Sequence, residues 1–359
     1  MTVCLICEVA MKNSKFFSFI LACIVSVFFT FPVYARDLPE IKTAWLGEHE
    51  KFIVWYAQKH GWDEEHGFKL DVLNFDSGKS ILDGMKAYGW GIAGMGAVPA
   101  LTGYFNKEIK IIAIANNESN SNMLYVRNNS PLLRQKGYDP AYPDVYGSPE
   151  LVRNAKILCA KGSSAHYLVD SWLKLFDLTE KDVKMQFMEM TPAFGAFKGG
   201  FGDIAGVWSP YVFEADKMGF QAIANGGTCN VFQPVLIVVN VEYAEKNPQL
   251  VTAFLKMYMQ GIELLRTKPL EDLAPEYQTF FKEELNLDIT RDEALFDLRN
   301  HPVFTLDEQK VMFNDKNQTS VVYDWLNEIA EFYKANNGVM TETNEKLNAL
   351  DPTWINQIQ

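Results

Sequence analysis

The sequence predicts an α/β protein of two lobes, each built on a mixed, mostly parallel β-sheet flanked by helices, with two strands joining the lobes as a hinge. Strand patterns alternate with helix patterns along the first part of the chain, which is typical of parallel sheets covered by helices. The chain has 359 residues, more than the roughly 250–300 residues that one compact core holds. A second alternating region is followed by the apolar strand Val235–Asn240, which predicts a return from a second lobe to the first.

The first lobe is predicted to alternate strands and helices from its start. Apolar runs of strand length bounded by polar turns predict each strand, and apolar residues at helical spacing predict each helix. In chain order, the expected elements are strand 41–46, a helix that carries Phe52 and Tyr56, strand 68–75, helix 77–88, strand 90–95, helix 99–105 and strand 109–115.

The second lobe is predicted to run from residue 130 to residue 234. Tyr125–Asn129 is interpreted as the first crossing between the lobes, which assigns 36–129 and 235–359 to the first lobe. Residues 130–150 are rich in Pro, Gly and Tyr and have no clear period, so we expect an insertion or a long loop there. The chain beyond the return strand shows the periodicity of amphipathic helices.

The N-terminal segment has the layout of a secretory signal peptide. Lys12 and Lys15 precede an apolar run over 16–31, and the small residue Ala35 follows shortly after it. We therefore expect residues 1–35 to be cleaved after Ala35 and the mature protein to be periplasmic. A membrane anchor is the alternative, but the run is short for a span that needs about 20 apolar residues.

Composition and motifs exclude several classes of function. A formal net charge of −12 excludes general nucleic-acid binding. Beyond the predicted leader, Cys159 and Cys229 either pair in an oxidising compartment or are two buried thiols, and they lack the spacing of a zinc site. The sequence contains neither a G-x-S-x-G elbow nor an H-E-x-x-H motif. No metal, no cofactor and no enzymatic activity are predicted.

Polar and small residues follow the predicted strands, at the edge where open α/β sheets bind their ligands. Three of these turns begin helices, whose free N–H groups and positive dipole ends favour an anion. N-capping explains the serines equally well, and core packing explains the aromatic residues. The residues that we expect to contact a ligand are Glu48, His49, Ser77, Gly78, Gly96, Ala97, Val98, Asn117, Glu118, Ser163, Ser164, His166, Trp208 and Tyr211.

Two motifs of the second lobe carry a resemblance to a known family. Lys161–Tyr167 (KGSSAHY) follows an apolar strand and opens a helix, and Gly202–Tyr211 (GDIAGVWSPY) is a strand that ends in an aromatic elbow. With Phe75–Gly78 and the pattern around Gly96 and Pro99, they resemble the periplasmic solute-binding proteins for taurine, aliphatic sulfonates and nitrate. The resemblance implies a type II periplasmic-binding-protein fold, a monomer that closes on a small molecule, and an ABC permease in the inner membrane as its partner.

The same resemblance implies the two sides of the pocket. Ser163, Ser164, His166 and Trp208 match the second-lobe side, and Ser77 and Gly78 match the first-lobe side. The chain departs from the family's usual Gly-Ser-Ser-Pro at residues 96–99, where Ala97 and Val98 replace two hydroxyl donors. This departure favours a more apolar ligand than a compact oxyanion.

The sequence is compatible with more than one charge state of the ligand. Glu48 and Glu118 follow strands, and a carboxylate in a closed cleft needs a cationic partner, so we expect a taurine-like zwitterion or a sulfonate. An amine, a betaine or a pyrimidine-like nutrient is the alternative. An enzyme of the thiamine-pyrimidine-synthesis type is disfavoured, because the related proteins carry a cysteine cluster that this chain lacks. Candidates for an aromatic cage, or more simply for core packing, are Trp45, Trp55, Tyr56, Trp62 and Trp90.

Overall fold

The part of the chain that the structure describes contains two five-stranded β-sheets. The computed structural model describes residues 38–337 and 347–359, so the predicted signal peptide lies outside the described residues. The strands are β1 Glu40–Trp45, β2 Lys69–Asn74, β3 Ile92–Gly96, β4 Ile109–Asn117, β5 Met123–Val126, β6 Lys156–Cys159, β7 Lys184–Phe187, β8 Ile204–Val207, β9 Gln221–Asn225 and β10 Pro234–Asn240.

The first sheet has the strand order β2-β1-β3-β10-β4, and the second has the order β7-β6-β8-β5-β9. β1 runs parallel to β2 and β3, whereas β10 runs antiparallel to β3 and β4. In the second sheet β6 runs parallel to β7 and β8, whereas β5 runs antiparallel to β8 and β9. The predicted α/β fold with two mixed sheets is confirmed. Antiparallel pairs are as frequent as parallel ones, because β10 and β5 run against their neighbours.

The chain passes from one sheet to the other in two short segments, residues 118–122 and 226–233. The two segments are bonded to each other: the Glu118 N–H donates to the Gln233 carbonyl oxygen at 2.9 Å, and the Gln233 N–H donates to Ser119 Oγ at 2.9 Å. β5 belongs to the second sheet, so the second lobe begins before the boundary placed at residue 129. Residues 123–126 are a buried strand of their own, and a short apolar run does not reveal which sheet it joins.

Helices cover both sheets. Those of the first lobe and its carboxyl-terminal extension contribute apolar residues to the buried core. In chain order the helices are α1 His49–His60, α2 Trp62–Glu65, α3 Gly78–Tyr88, α4 Ala97–Phe105, α5 Pro149–Val152, α6 Ser164–Lys174, α7 Met190–Lys198, α8 Tyr211–Lys217, α9 Val241–Lys246, α10 Pro248–Thr267, α11 Leu270–Leu285, α12 Arg291–Asn300, α13 Leu306–Phe313 and α14 Val321–Asn337.

The C-terminal helices contact both lobes. α10 packs on the first sheet, where the rings of Tyr258 and Trp45 stack with centroids 6.0 Å apart. α11 and α12 reach α8 of the second lobe, where Phe213 meets Phe281 at 6.3 Å between centroids. Among the described helices, none is both long and apolar enough to cross a membrane.

The stretch 130–150 is an irregular connection that packs on the second lobe. It begins with a 3₁₀ turn at Pro131–Arg134 and ends at α5. The Tyr146 N–H donates to the carbonyl of Ile223 in β9 at 2.9 Å, and its own carbonyl accepts from the Trp172 indole at 3.2 Å. These bonds fix Tyr146 to the second sheet and to α6.

Candidate functional site

A cavity of about 300 Å³ lies where the loops after β1 and β2 face α7 and α8 of the second lobe. We call it the outer cavity. Its apolar surface includes the rings of Phe75, Trp208 and Tyr211, and its charged groups are acidic. Its lining residues are Leu46, Gly47, Glu48, Phe75, Asp76, Thr191, Trp208, Pro210, Tyr211, Glu214, Leu285 and Leu287.

A second cavity, of about 20 Å³, shares Leu46, Glu48 and Trp208 with the first. This inner cavity has room for about one water molecule. Loops and helix starts from both lobes surround it: Leu46, Glu48, Gly78, Gly96, Pro99, Glu118, Ser163, Ser164 and Trp208.

The lobes lie close together beside the inner cavity, at Gly96. A Cβ atom added there would lie 2.5 Å from Ser164 Oγ and 3.3 Å from Glu118 Oε1. Gly78 is similarly tight, because a Cβ on it would lie 2.4 Å from Pro99 Cγ. Gly96 therefore lets the start of α4 face the second lobe at close range, whereas Gly78 lets the starts of α3 and α4 pack together within the first lobe.

Glu48 is the buried acid that both cavities share. It lies in the turn between β1 and α1, and its Oε1 has no hydrogen-bond partner among the described residues. Burial raises the pKa of Glu48 well above its ordinary value, and the neighbouring Glu50, Glu118, Asp297 and Asp76 add to that rise. A cationic group in the cavity would remove this penalty.

Glu118 is the second buried acid that lines the inner cavity, and it is linked to both lobes. Burial raises its pKa, although hydrogen bonds from the Ser164 and Asn122 side chains lower it in part. Gln233 Nε2 in turn donates to the Ser164 carbonyl at 2.7 Å. The start of α6 is thus held against the two segments that join the sheets.

A hydrogen-bonded group links the lobes at the mouth of the outer cavity. Thr191 Oγ1 lies 2.5 Å from Asp76 Oδ1 and 2.6 Å from the Tyr211 hydroxyl. The Thr191 N–H also donates to Asp76 Oδ2 at 3.2 Å. Asp76 belongs to the first lobe and Thr191 and Tyr211 to the second, so this latch holds the two lobes together. Burial raises the pKa of Tyr211 to about 12, so its hydroxyl keeps its proton at neutral pH.

Serine caps the helices that begin on either side. Ser163 Oγ accepts from the His166 N–H at 3.2 Å and donates to the Ala160 carbonyl at 2.7 Å. Ser77 Oγ accepts from the Ser80 N–H at 3.1 Å. Ser163 lines the inner cavity, whereas Ser77 is buried beside it without lining it. Capping accounts for both residues, and only Ser163 is also placed to meet a ligand.

The structure brings eight of the fourteen predicted contact residues to the two cavities. Those eight belong to turns after strands of both sheets. They are Glu48, Gly78, Gly96, Glu118, Ser163, Ser164, Trp208 and Tyr211.

The other six are placed elsewhere: His49, Ser77, Ala97, Val98, Asn117 and His166 do not line either cavity. Ala97 and Val98 are in the core, so the residues that replace the family's hydroxyl donors do not present side chains to the cavity. Asn117 Oδ1 accepts from Ser119 Oγ at 2.5 Å and from its N–H at 3.0 Å, which occupies it in the turn between the sheets.

His166 is held inside the second lobe. Its Nδ1 accepts from the Gly162 N–H at 3.1 Å, so the proton is on Nε2, which donates to Glu180 Oε1 at 2.6 Å. Phe187 and Phe332 meet the ring edge-on. His166 therefore neither faces the cavity nor lies in a position to take a proton from Ser163 Oγ.

Ten lining residues were not among the predicted contacts. They are Leu46, Gly47, Phe75, Asp76, Pro99, Thr191, Pro210, Glu214, Leu285 and Leu287. Thr191 had a detectable signal, since it lies in the first turn of α7, shortly after β7, and the strand-end rule applies to it. Glu214 lies one turn into α8, past the aromatic elbow. Leu285 and Leu287 come from the end of α11, where the sequence offers no strand-end signal.

The remaining aromatic and cysteine candidates are core residues. Trp45, Trp55, Tyr56 and Trp90 are buried, Trp62 packs against the same core, and none of the five lines either cavity described above. Cys159 and Cys229 are buried free thiols, which decides between the two alternatives for this pair. Burial raises the pKa of the Cys229 thiol to about 12.

One set of side chains has the composition of a metal site. His49, Asp297 and His301 each offer a ligand atom, and these atoms lie within 4.8 Å of one another. All three residues are buried, and the cluster lies behind Glu48 rather than in either cavity.

A model of the NMT1-like family matches residues 39–271. The chain belongs to this family. The match covers both sheets, all the lining residues up to Glu214, and the two segments that join the lobes. Leu285 and Leu287 lie beyond it.

Curated relatives agree with this assignment at low identity. The chain is 23% identical over 65% of its length to a Brachyspira hyodysenteriae protein named as an ABC transporter periplasmic binding protein. It is 26% identical over 57% of its length to a Bacillus subtilis protein named as an aliphatic sulfonates-binding protein. It is 26% identical over 54% to the taurine-binding periplasmic protein of Escherichia coli. The matches span 67%, 60% and 56% of these relatives, respectively.

The fold also has solved counterparts. The periplasmic aliphatic sulphonate binding protein SsuA of Escherichia coli superimposes with a TM-score of 0.65, at 16% identity, over 86% of this chain and 90% of that one. At this identity the likeness concerns the fold, which is that of the periplasmic binding proteins.

Proposed function

We propose that this protein is the substrate-binding component of an ABC import system and that it binds a small zwitterionic solute between its lobes. One observation carries the proposal: residues from both sheets, among them Glu48, Gly96 and Ser164, line one small cavity where the lobes meet. Ligand contacts made only when the lobes are together would favour the closed arrangement. The closed protein would then deliver its ligand to a membrane permease.

The charges around the cavities support a ligand with a cationic end. Glu48, Asp76 and Glu214 line the outer cavity, Glu118 lines the inner one, and no Lys, Arg or His is among the described lining residues. A purely anionic ligand would face these carboxylates without a cationic side chain to balance it. An ammonium group near Glu48 and the faces of Trp208 and Tyr211 would be favourable on both electrostatic and cation–π grounds.

The helix starts support an anionic second end. α3 and α4 begin beside the inner cavity at Gly78 and Gly96, and α6 begins there at Ser163 and Ser164. Backbone N–H groups at helix starts bind sulfonate or carboxylate oxygens, each dipole contributing about 0.3–1 kcal/mol. A taurine-like molecule satisfies the acids and the helix starts together, in keeping with the names of two of the relatives.

A matched pair of ligands tests the charge assignment. By isothermal titration calorimetry, taurine is expected to bind the mature protein, and ethanesulfonate, which lacks the amine, is expected to bind at least about tenfold more weakly. A charged hydrogen bond of about 1.5–3 kcal/mol corresponds to that factor or more. Betaine and a pyrimidine in the same series would identify the alternative ligand classes.

Glu48→Gln extends the test to the protein. The variant keeps the shape of the side chain and is expected to weaken taurine binding by about tenfold or more while leaving ethanesulfonate unchanged. Glu242→Gln, at an 84% exposed side chain on α9, is the matched control and should leave both affinities as they are. Equal binding of the two ligands by the unmodified protein contradicts the zwitterion. Turnover of a bound compound contradicts the role as a receptor.

A further inference from the structure

His49, Asp297 and His301 form a buried cluster behind the inner cavity. Their exposed fractions are 2%, 0% and 3%. His49 is the first residue of α1, Asp297 lies in the last turn of α12, and His301 follows that helix. The two imidazole rings stack in parallel, with centroids 4.7 Å apart and planes 5° apart.

The hydrogen bonds of Tyr277 determine which nitrogen of His49 carries the proton. The Tyr277 hydroxyl lies 2.6 Å from Asp297 Oδ2 and 2.9 Å from His49 Nδ1. A carboxylate only accepts, so the one hydroxyl proton goes to Asp297, and the tyrosine oxygen accepts from His49 Nδ1–H. His49 Nε2 is then left with a lone pair and finds no hydrogen-bond partner within the described part of the chain.

Asp297 presents a free acceptor atom in the same way, and His301 lies beside it. Asp297 Oδ1 likewise makes no hydrogen bond to any described residue. His301 Nδ1 lies 2.8 Å from the Asp297 backbone carbonyl, and because a carbonyl only accepts, the proton is on Nδ1 and the lone pair is on Nε2. His301 Nδ1 also lies 3.4 Å from Asp297 Oδ1. Two imidazoles and one carboxylate are therefore buried together, and His49 Nε2 and Asp297 Oδ1 lack a hydrogen-bond partner among the described residues.

We propose that His49, Asp297 and His301 bind a divalent transition-metal ion of the zinc type. Two imidazoles and a carboxylate are a ligand set that zinc accepts, with an open fourth position. Tyr277 supplies the outer hydrogen bonds that orient such ligands. Bonds of about 2.0–2.1 Å place tetrahedral ligand atoms roughly 3.3–3.5 Å apart, so atoms now within 4.8 Å of one another must move closer. Because the two imidazole planes are parallel, one ring must also turn about its χ2 angle so that both nitrogen lone pairs point at the ion.

The surroundings favour a cation at this place. Asp297 lies near the carboxyl end of α12, whose dipole is negative there. Three acidic residues are buried close by, namely Glu48, Glu50 and Glu118. They interact electrostatically with one another, with Asp297 or with His301. The one described lysine buried beside them, Lys51, is already bonded to Glu284 and Asn74.

The proposed ion would also position the ligand cavity. His49 directly follows Glu48, so an ion on His49 fixes the start of α1 and with it the carboxyl that both cavities share. His301 Nδ1 lies 3.4 Å from Ser121 Oγ, in one of the segments that join the sheets. Metal binding is measured without any solute, so it can fail independently of the proposed transport function.

Equilibrium dialysis of untagged protein against zinc, followed by elemental analysis, tests the site. About one zinc ion per chain is expected. His301→Asn and Asp297→Asn are each expected to weaken binding by at least about a hundredfold, since losing an outer-shell partner alone costs 10–100-fold. His60→Gln is the matched control: His60 is exposed and paired with Glu276, and its loss should change nothing.

Two further measurements test the metal site even if a ligand variant fails to fold. One uses the Tyr277→Phe variant, and the other uses the absorption spectrum of the cobalt-loaded protein. The phenylalanine variant retains the ring and is expected to bind zinc 10–100-fold more weakly. The cobalt-loaded protein should show a ligand-field spectrum without a thiolate charge-transfer band, because Cys159 and Cys229 are elsewhere in the core. Less than about 0.1 zinc per chain in the unmodified protein, or equal uptake by the His301→Asn and unmodified proteins, overturns the proposal.

Discussion

The inner and outer cavities share Glu48 and Trp208 but offer a ligand different chemistry. The inner cavity is surrounded by helix starts, two serines, two glycines and the acids Glu48 and Glu118. The outer cavity presents three carboxylates and three aromatic rings. Neutral N–H and hydroxyl donors suit an oxyanion, whereas carboxylates and ring faces suit a cation. The two cavities together are therefore complementary to a molecule with separated charges, and each can be disturbed without the other.

Gly96→Ala is expected to have the largest effect, and to act on the inner cavity. The added methyl would lie 2.5 Å from Ser164 Oγ, so Ser164 must turn away from Glu118 or the lobes must stay apart. Solute affinity should fall by at least about tenfold, or 1.4 kcal/mol, as measured by calorimetry.

Gly195→Ala is the matched control for that substitution. A Cβ at Gly195 meets no described atom within 4 Å, and the residue lies inside α7. Alanine there should leave affinity unchanged and stabilise the helix by up to about 1 kcal/mol. If both variants bind the solute like the unmodified protein, the close approach at Gly96 has no part in closure.

Weakening the latch at the mouth of the outer cavity is expected to have an intermediate effect on solute affinity. Thr191→Val keeps the backbone N–H bond to Asp76 and removes the hydroxyl that joins Asp76 to Tyr211. A net hydrogen-bond contribution of about 0.5–1.5 kcal/mol predicts a two- to tenfold loss of affinity.

A double-mutant cycle separates the latch from direct ligand contacts. Asp76→Ala and Thr191→Val should be less than additive, because each removes the same bond. Asp83→Asn, which breaks an exposed pair with Lys79 on α3, should leave affinity unchanged. Full additivity of the two latch substitutions would mean that Asp76 and Thr191 act on the ligand separately.

The inner cavity could be predicted from sequence because its residues obey local rules. Gly78, Gly96, Ser163 and Ser164 each follow a strand and precede or begin a helix, and such turns meet at one edge of a sheet. The outer cavity depends on tertiary packing as well. Leu285 reaches it from α11, some 240 residues from Glu48, and no local pattern specifies that approach.

His49 and His166 show a second limit of the sequence. Both stand at turns where the strand-end rule predicts ligand contacts, but a side chain at a helix start points outward or inward according to its neighbours. Glu180 and two phenylalanines hold His166 inside the second lobe. Tyr277 and His301 hold His49 beneath the cavity. These partners are distant from the histidines in sequence, or their spacing from the histidines follows no recognisable pattern.

Alanine substitutions of Ser77 and Ser163 are expected to have the smallest effects on affinity. They distinguish helix capping from solute binding. Both cap a helix, so Ser77→Ala and Ser163→Ala should each cost about 1 kcal/mol of stability and lower the melting temperature by similar amounts. Only Ser163 lines the inner cavity, so only Ser163→Ala should also weaken solute binding, by a few-fold. Ser77→Ala serves as the control, since any general loosening of a helix start would appear in it too. If both alanine variants lose stability and neither loses affinity, the start of α6 acts as a cap alone and the anionic end of the solute is held elsewhere.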